Sequence, residues 1–524
     1  MGRRELGTRS VKLKRFDLGY FPNKEFDDIP DGGCANDTKH VFFRNSDLRP
    51  FPGMALVNTA QAAHMSGQGL HYINTDDTQK RVAVFGNMFF EDVGGVWTNR
   101  TGTATIGVGD RVQFIDHQRG SNDYVIGCAG NGSPPFRWTG SGNAAALGGS
   151  PPNFDTMAKY HRLVFGAVDE SVYFSDTDDP TTWDTTNWVI QYSKNVNCLM
   201  DNGAKLAVMM GDHIGSIQGY DALDIVAEDS ETRTVGCVGK LAATNCFWGQ
   251  ADLKVIATVS DDGLWVLDQA FGSQKVFGDQ WFYEFNKSNL SKSSMAYWRD
   301  EGLLFVAMPY GASSEPDYLV IVNTRTGAFW PGPTIHANYI RALASMKDNV
   351  GNEFIYFVDS NGYAFRFDMD ATAYHTGTAA QAIDFKWKSK RFDLENIHSL
   401  GELNMIAGAL GKWGVNVGVQ FGLSTGDGST GTVTFSTTEA LLGSTFILGA
   451  SALGTSDYVF KPLSGIGGYG RFLQITLLPQ GAEANDLLGT TFVLGTSTLG
   501  SSNAFRVKRI EMDLHDHRRG GYDQ

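Results

Sequence analysis

The feature that most constrains this chain is a hairpin that keeps returning. Residues 105 to 370 read as strand, turn, strand, over and over. "RLVFGAVDESVYFSD" alternates around a Val-Asp-Glu-Ser turn, and "KLAVMMGDHIGSIQG" turns at Gly-Asp. "LKVIATVSDDGLWVLD" turns at Asp-Asp-Gly, "EFIYFVDSNGYAFRFD" at Ser-Asn-Gly and "DYLVIVNTRTGAFWP" at Thr-Arg-Thr-Gly. "AVFGNMFFEDVGGVWTN" is an earlier member of the series. Asp-Gly and Asn-Gly between alternating apolar runs are the strongest short hairpin signal, because both dipeptides accept the positive φ of primed turns.

Hairpins repeated at this spacing predict radial repetition, a β-propeller of about six or seven four-stranded blades. A stack of β-sandwiches would show similar hairpins, but without their shared ending. Here the outgoing strand often closes on an aromatic or an aspartate, as in "VYFSD", "LWVLD" and "AFRFD". Composition agrees with short packed strands. The 62 glycines are nearly twice the usual share, aromatics reach 12%, and charged residues only 19%. From about Ala380 the strands lengthen and the loops turn to Gly, Ser and Thr, predicting a C-terminal β-sandwich. The expected organisation is all-β: an extended N-terminal arm over 1–40, a propeller over 41–375 and a sandwich over 376–524.

Inside that last region the chain nearly repeats itself. "LLGSTFILGASALGTS" (441–456) and "LLGTTFVLGTSTLGSS" (487–502) agree at eleven of sixteen positions. Each holds a strand-like centre, Phe446, Ile447 and Leu448 in one copy and Phe492, Val493 and Leu494 in the other. Their apolar content exceeds what a free loop exposes, so burial against something is expected. Two readings stand side by side: a projecting pair of hairpins that forms a gate or docking collar, or a duplication packed on the sandwich.

Charge divides the chain. Arg3, Arg4, Arg9, Lys12, Lys14 and Arg15 against Glu5 give the first fifteen residues +5, so with a total of −14 the remainder carries −19. An acidic body argues against tight wrapping of nucleic acid, which rests on neutralised phosphates. The basic arm is a candidate contact for a neighbouring protein or for DNA, although most such arms are simply solvated. The longest apolar runs are strand-length, short of a membrane-spanning helix, and the N-terminus has no apolar stretch of a secretory signal. Five cysteines without a C-x-x-C pair read as free thiols of a protein made in a reducing cytoplasm.

Catalytic constellations are weak. "SDTDDPTTWD" (175–184) clusters acids but lacks the glycine and terminal glutamate of a calcium loop. "SDDGLW" (260–265) has the wrong spacing for the Asp-box turn of sialidase propellers. His515 and His517 form an H-x-H pair with no other ligand nearby. No nucleophile elbow, zinc-protease or P-loop motif occurs. The residues therefore imply no enzyme, no cofactor and no metal.

Several stretches resemble the tail nozzle proteins of short-tailed bacteriophages, also called tail tubular protein B or packaged-DNA stabilisation proteins. "HRLVFGAVDESVYFSDTDDPTTWD" is similar to their blade signature, with Tyr173 to Asp176 ending a strand before an Asp-Pro-x-x-Trp turn. "TRTVGCVGKLAATNCFWGQADLKVIATVSDDGLWVLD" looks like them too, as do the opening with Ala35-Asn36 and Leu48 to Gly53 and the closing "GRFLQITLLPQ…FRVKRIEMDLHDHRRGG". The resemblance implies a non-enzymatic virion protein, assembled in the bacterial cytoplasm as a hexameric ring around the DNA exit channel. It implies a portal or adaptor ring above, tail fibre or needle proteins nearby, and transient contact with genomic DNA. The duplicated segments are outside the family pattern. Two alternatives remain: a carbohydrate-binding or glycoside-cleaving propeller whose aromatics stack on sugars, and a receptor-binding tail fibre.

Overall fold

The computed structural model describes residues 8–13, 15–22, 24–25, 28–35, 38–44, 47–57, 65–74, 79–119, 122–130, 132–232, 234–332, 338–369, 373–375, 377, 380–408, 413–422, 430–437, 459–463, 469–479 and 506–516. The described residues are all-β apart from one helical turn at Asp279–Phe282 and a 3-10 segment at Lys287–Lys292. Neither helix is long and apolar enough to cross a membrane.

Seven antiparallel sheets follow one another along the chain, each a simple meander like a propeller blade. Their first strands are Gly67–Asn74, Gln113–Arg119, Thr156–Tyr160, Val196–Asp201, Ala243–Trp248, Ser294–Trp298 and Ile340–Lys347. Each first strand lies against the first strand of the next sheet, and that of the seventh lies against that of the first. The ring is therefore closed, with the first strands innermost. All but the third and seventh sheets take their four strands consecutively; the third adds Val189–Gln191 as a fifth.

The hairpin turns fall where the sequence places them. Val168 pairs with Ser171 across Asp169-Glu170, and Ser260 with Gly263 across Asp261-Asp262. Asp169 adopts a φ of 50°, the left-handed conformation that aspartate tolerates better than most residues.

The seventh sheet is completed from the other end of the chain. Its outermost strand is Gly53–Leu56, paired antiparallel with Ala364–Asp368 so that Met54 faces Phe367. An N-terminal strand thus ties the last blade shut with backbone hydrogen bonds, which gives the ring no loose seam.

The C-terminal strands form one hydrogen-bonded sheet of ten, and three of these come from the N-terminal region. Thr8–Leu13 pairs with Arg506–Asp516, and the hairpin Val41–Arg44/Asp47–Pro50 adds to the same strand through Leu48 and Val507. Within the segment expected as an extended arm, Thr8–Leu13 is therefore built into this sheet and Tyr20 packs on the blades. The sheet also doubles back. The register sets Phe392 level with Leu473 and Leu473 level with Phe421. A flat sheet would then hold Gly408 and Trp413 more than about 60 Å apart. Five peptide steps span at most about 19 Å. The register is irregular between Asp393 and His398.

That fold-back brings several strand ends together. Trp413 pairs with Thr437, Val415 with Pro479, Gly408 with Arg506 and Ala407 with Val459. Both stretches that contain the near-duplicates therefore begin and end at this one end of the sheet. The segments 441–456 and 487–502, with Phe446, Ile447, Leu448, Phe492, Val493 and Leu494, lie outside the described residues.

One apolar cluster joins the two parts. Val11, Leu13, Phe16 and Phe51 pack with Trp330, Phe357 and Phe367 of the blades and with Trp387, Leu473, Ile475 and Ile510 of the C-terminal sheet. Phe16 meets Trp387 edge-on at 5.1 Å between ring centres.

Candidate functional site

A polar concavity sits where the innermost strands begin. A cavity of about 390 Å³ is lined by residues from the second to the seventh sheet and the loops between them. Arg111, Asp155, Lys240 and Lys292 each lie shortly before a first strand, and Arg341 lies within one. Glu315 comes from the loop between Leu303–Met308 and Tyr318–Asn323. The meander repeat thus delivers one or two side chains per blade to a common mouth.

Three cations converge on Glu315. Arg111 Nη2 is 3.0 Å from Oε2, while Lys292 Nζ and Arg341 Nη1 are 2.9 and 3.3 Å from Oε1. Arg341 Nη2 also donates to the Gly109 carbonyl at 2.7 Å, and Lys240 Nζ donates to the Ala129 carbonyl at 2.6 Å. Except for Lys292–Glu315, which lies within the sixth sheet, these contacts run between blades far apart in sequence, so they act as cross-ties at one end of the ring. Burial raises the Glu315 carboxyl, but Lys292, Arg111 and Arg341 outweigh it and the net shift is downward. Burial pushes Arg111 down to about 9, with Arg341 adding to the effect and Glu315 only partly opposing it. A guanidinium keeps its proton in proteins, so the physical content is a buried cation short of negative charge.

A second cleft, about 490 Å³, lies where residues 15–24 cross the outer edges of the fifth and sixth sheets. Trp281 and Phe329 stack at 5.3 Å, and Tyr20 stands edge-on to both. Arg15, from the basic segment, lines this cleft and is paired with Asp17 at 3.0 Å. Of the other basic residues, Arg9 and Lys12 lie in the strand Thr8–Leu13, Lys12 exposed to solvent, while Arg3, Arg4 and Lys14 lie outside the described residues. The structure does not gather these residues into one described patch.

One constellation was not legible beforehand. Ser193 Oγ is 3.2 Å from His213 Nε2, and His213 Nδ1 is 2.7 Å from Asp212 Oδ1. The order of atoms matches a nucleophile, base and orienting acid. Its surroundings do not favour that chemistry. Ser193 is exposed, and its Oγ also lies 3.2 Å from Asp229 Oδ1, beside a carboxylate that repels an oxyanion. Lys194 pairs with Asp212 from outside, and its hydrogen bond, then that of His213, holds this carboxyl down to about 2. The cluster reads as a polar turn.

The remaining motifs sit in turns. Asp179 accepts hydrogen bonds from Thr181 and Thr182, and Trp183 Nε1 donates to the Pro180 carbonyl, fixing the hairpin of the third sheet. In the fifth sheet Trp265 Nε1 donates to Asp262. His515 lies in the strand Arg506–Asp516, and His517 outside the described residues. Among the described residues no three His, Cys, Asp or Glu side chains come together as a metal site. All five cysteines are buried and unbridged.

No protein-family model matches this chain, and no curated protein matches it. Among solved structures, a catalytically inactive H270A virginiamycin B lyase from Staphylococcus aureus with quinupristin is similar at a TM-score of 0.40 and 11% identity, covering 60% of this chain and 98% of that one. The selenomethionine-substituted lyase from the same organism gives 0.40 and 13% over the same shares. A streptogramin B lyase gives 0.39 and 10%, over 60% and 97%.

Proposed function

We propose that this chain is a structural subunit of a short-tailed bacteriophage tail, a nozzle protein that closes as a hexameric ring around the DNA exit channel. In this reading a seven-bladed propeller carries a two-layered C-terminal sandwich, and the chain is not an enzyme and needs no cofactor. The observation that carries it is the end of the C-terminal sheet where Thr437, Val459, Pro479 and Arg506 meet. The described strands that flank the two near-identical apolar stretches end there, and sixfold symmetry would bring six copies of that end to one level.

The charge distribution suits a conduit. An acidic body repels phosphate, so DNA passes with little adhesion. The propeller's own axis is not the conduit, because charged cross-ties occupy its mouth. Assembly takes place in the host cytoplasm, with an adaptor or portal ring above and fibre or needle proteins nearby. The basic residues Arg3 and Arg4 are the contact toward the adaptor or the DNA end.

Negative-stain imaging and light scattering of the purified full chain test the reading. Sixfold rings, alone or on adding the adaptor ring, are expected. A monomer that stays monomeric with its adaptor, or that cleaves a glycan, sinks it. The adaptor contact needs reversal of Arg3 and Arg4 to Glu rather than deletion of residues 1–15. Deletion also removes the strand paired with Arg506–Asp516.

A further inference from the structure

The mouth of the blade ring carries a cluster of cations that the assembly described above does not use. Lys292, Arg341 and Arg111 all pair with one carboxylate, Glu315. Arg111 is 6% exposed and Arg341 9%, so solvent screens them poorly. Arg111 Nη1 and Arg341 Nε have no hydrogen-bond partner. Buried donors are normally satisfied, and an unmet one calls for an explanation.

The other acids of the lining are Asp110, Asp155 and Asp169. Asp110 Oδ2 lies beside Ser133 Oγ, each 2.7 Å from the position a Cβ on Gly107 would take. Asp155 Oδ1 lies beside Lys240 Nζ, each 2.9 Å from the corresponding point on Gly130. Asp169 belongs to a hairpin of the third sheet, among Asn195 and Asn197 of the adjoining segment. The cations cluster around Glu315, on the side of the second, sixth and seventh sheets.

We propose that this axial cavity is a binding site for an oxyanion, a phosphate or carboxylate group held by Lys292, Arg341 and Arg111 against Glu315. An anion there accepts charge-assisted hydrogen bonds from fixed, partly desolvated donors, the arrangement in which such bonds are strongest. At about 390 Å³ the space admits an inorganic phosphate or the end of a larger group.

The test uses the full chain in chloride buffer at constant ionic strength, titrated with sodium phosphate in one arm and sodium acetate in another. Binding is read by calorimetry and by the shift in melting temperature. Saturable binding of at least one anion is expected, with tighter phosphate assigning a phosphate source and tighter acetate a carboxylate source. Lys292→Gln, at a side chain about one-third exposed, weakens the preferred anion about tenfold or more. Glu315→Gln, which removes the competing charge, tightens it. Lys287→Gln, outside the cavity, leaves it unchanged. No saturable binding of either anion, or equal affinity in wild type and Lys292→Gln, overturns the proposal. Should Glu315→Gln fail to fold, the lysine variant decides alone.

Discussion

His117 offers a sharp test of how the blades pack, because its charge state reports its surroundings. It sits on Gln113–Arg119, the innermost strand of the second sheet, and is 1% exposed. Burial, then the nearby charge of Lys159, pushes its imidazole down to about 4, with Asp178 and Asp179 opposing only weakly. The unfolded chain titrates near 6.5 and so binds more protons than the native one between those values. Stability is thus fully present above pH 6.5 and falls as pH drops toward 4. At pH 5 an unfolded imidazole is almost wholly protonated and the buried one hardly at all. The native state loses about 1.5 to 2 kcal/mol relative to pH 7, with some allowance for solvent screening. Urea unfolding at pH 7 and pH 5 should show this loss in wild type and show it largely abolished in His117→Leu. A ring-carbon NMR signal that disappears in the variant should titrate near 4. A midpoint above 6, or equal acid sensitivity in the variant, refutes the burial argument.

Other perturbations probe different joints. A Cβ on Gly239 would lie 2.1 Å from the Ser291 carbonyl oxygen, so Gly239→Ala should push apart the loops that enter the fifth and sixth sheets. A loss of about 1 to 3 kcal/mol in denaturant unfolding is expected, and an unchanged midpoint contradicts the close approach. Met54→Asp sets a carboxylate in the ring-closing strand at a position 3% exposed. It should lower the melting temperature and raise exchange of the amides of Ala364–Asp368, whereas wild-type protection there contradicts the closure. Ellman's reagent should react with none of the five buried thiols in the native protein and with all five after denaturation; rapid native labelling at any of them contradicts its burial.

Much of the blade architecture was legible because it is local. Turn dipeptides between alternating runs specify hairpins within about fifteen residues, and each such hairpin is present. What escaped is what joins distant residues. Gly53–Leu56 completes a sheet more than 300 residues away, and "GMAL" has no alternation that announces it. "TRSVKL" does alternate, with Val11 and Leu13 buried and Lys12 exposed, but its charge suggested a free arm. The cavity residues Arg111, Lys292, Glu315 and Arg341 share no motif. Their convergence follows only from ring closure, which sets strand starts side by side whatever their sequence spacing. The doubled-back sheet likewise depends on pairing between residues 392–422 and 469–516, for which the alternation gives strands but not partners.

Ring closure and sheet formation draw on the same fifty residues, and this has a thermodynamic consequence. Thr8–Leu13, Val41–Arg44 and Asp47–Pro50 belong to the C-terminal sheet, and Gly53–Leu56 to the seventh blade. Two residues, Phe51 and Pro52, separate the two memberships, and Phe51 is buried against Phe42 on one side. A Cβ on Gly332 of the sixth blade would meet that ring at 2.2 Å. Melting of the C-terminal sheet therefore strips the staple from the blade ring, and opening of the ring frees an edge of the sheet. Domains joined by an exposed linker unfold separately, whereas units that share strands and one apolar cluster unfold together. Calorimetry of the full chain should show the blades and the C-terminal sheet losing structure in one transition. Phe51→Ala should lower it by about 3 to 5 kcal/mol without splitting it. Two resolved transitions in wild type, the earlier confined to residues beyond 380, would show that the shared segment does not couple the two parts.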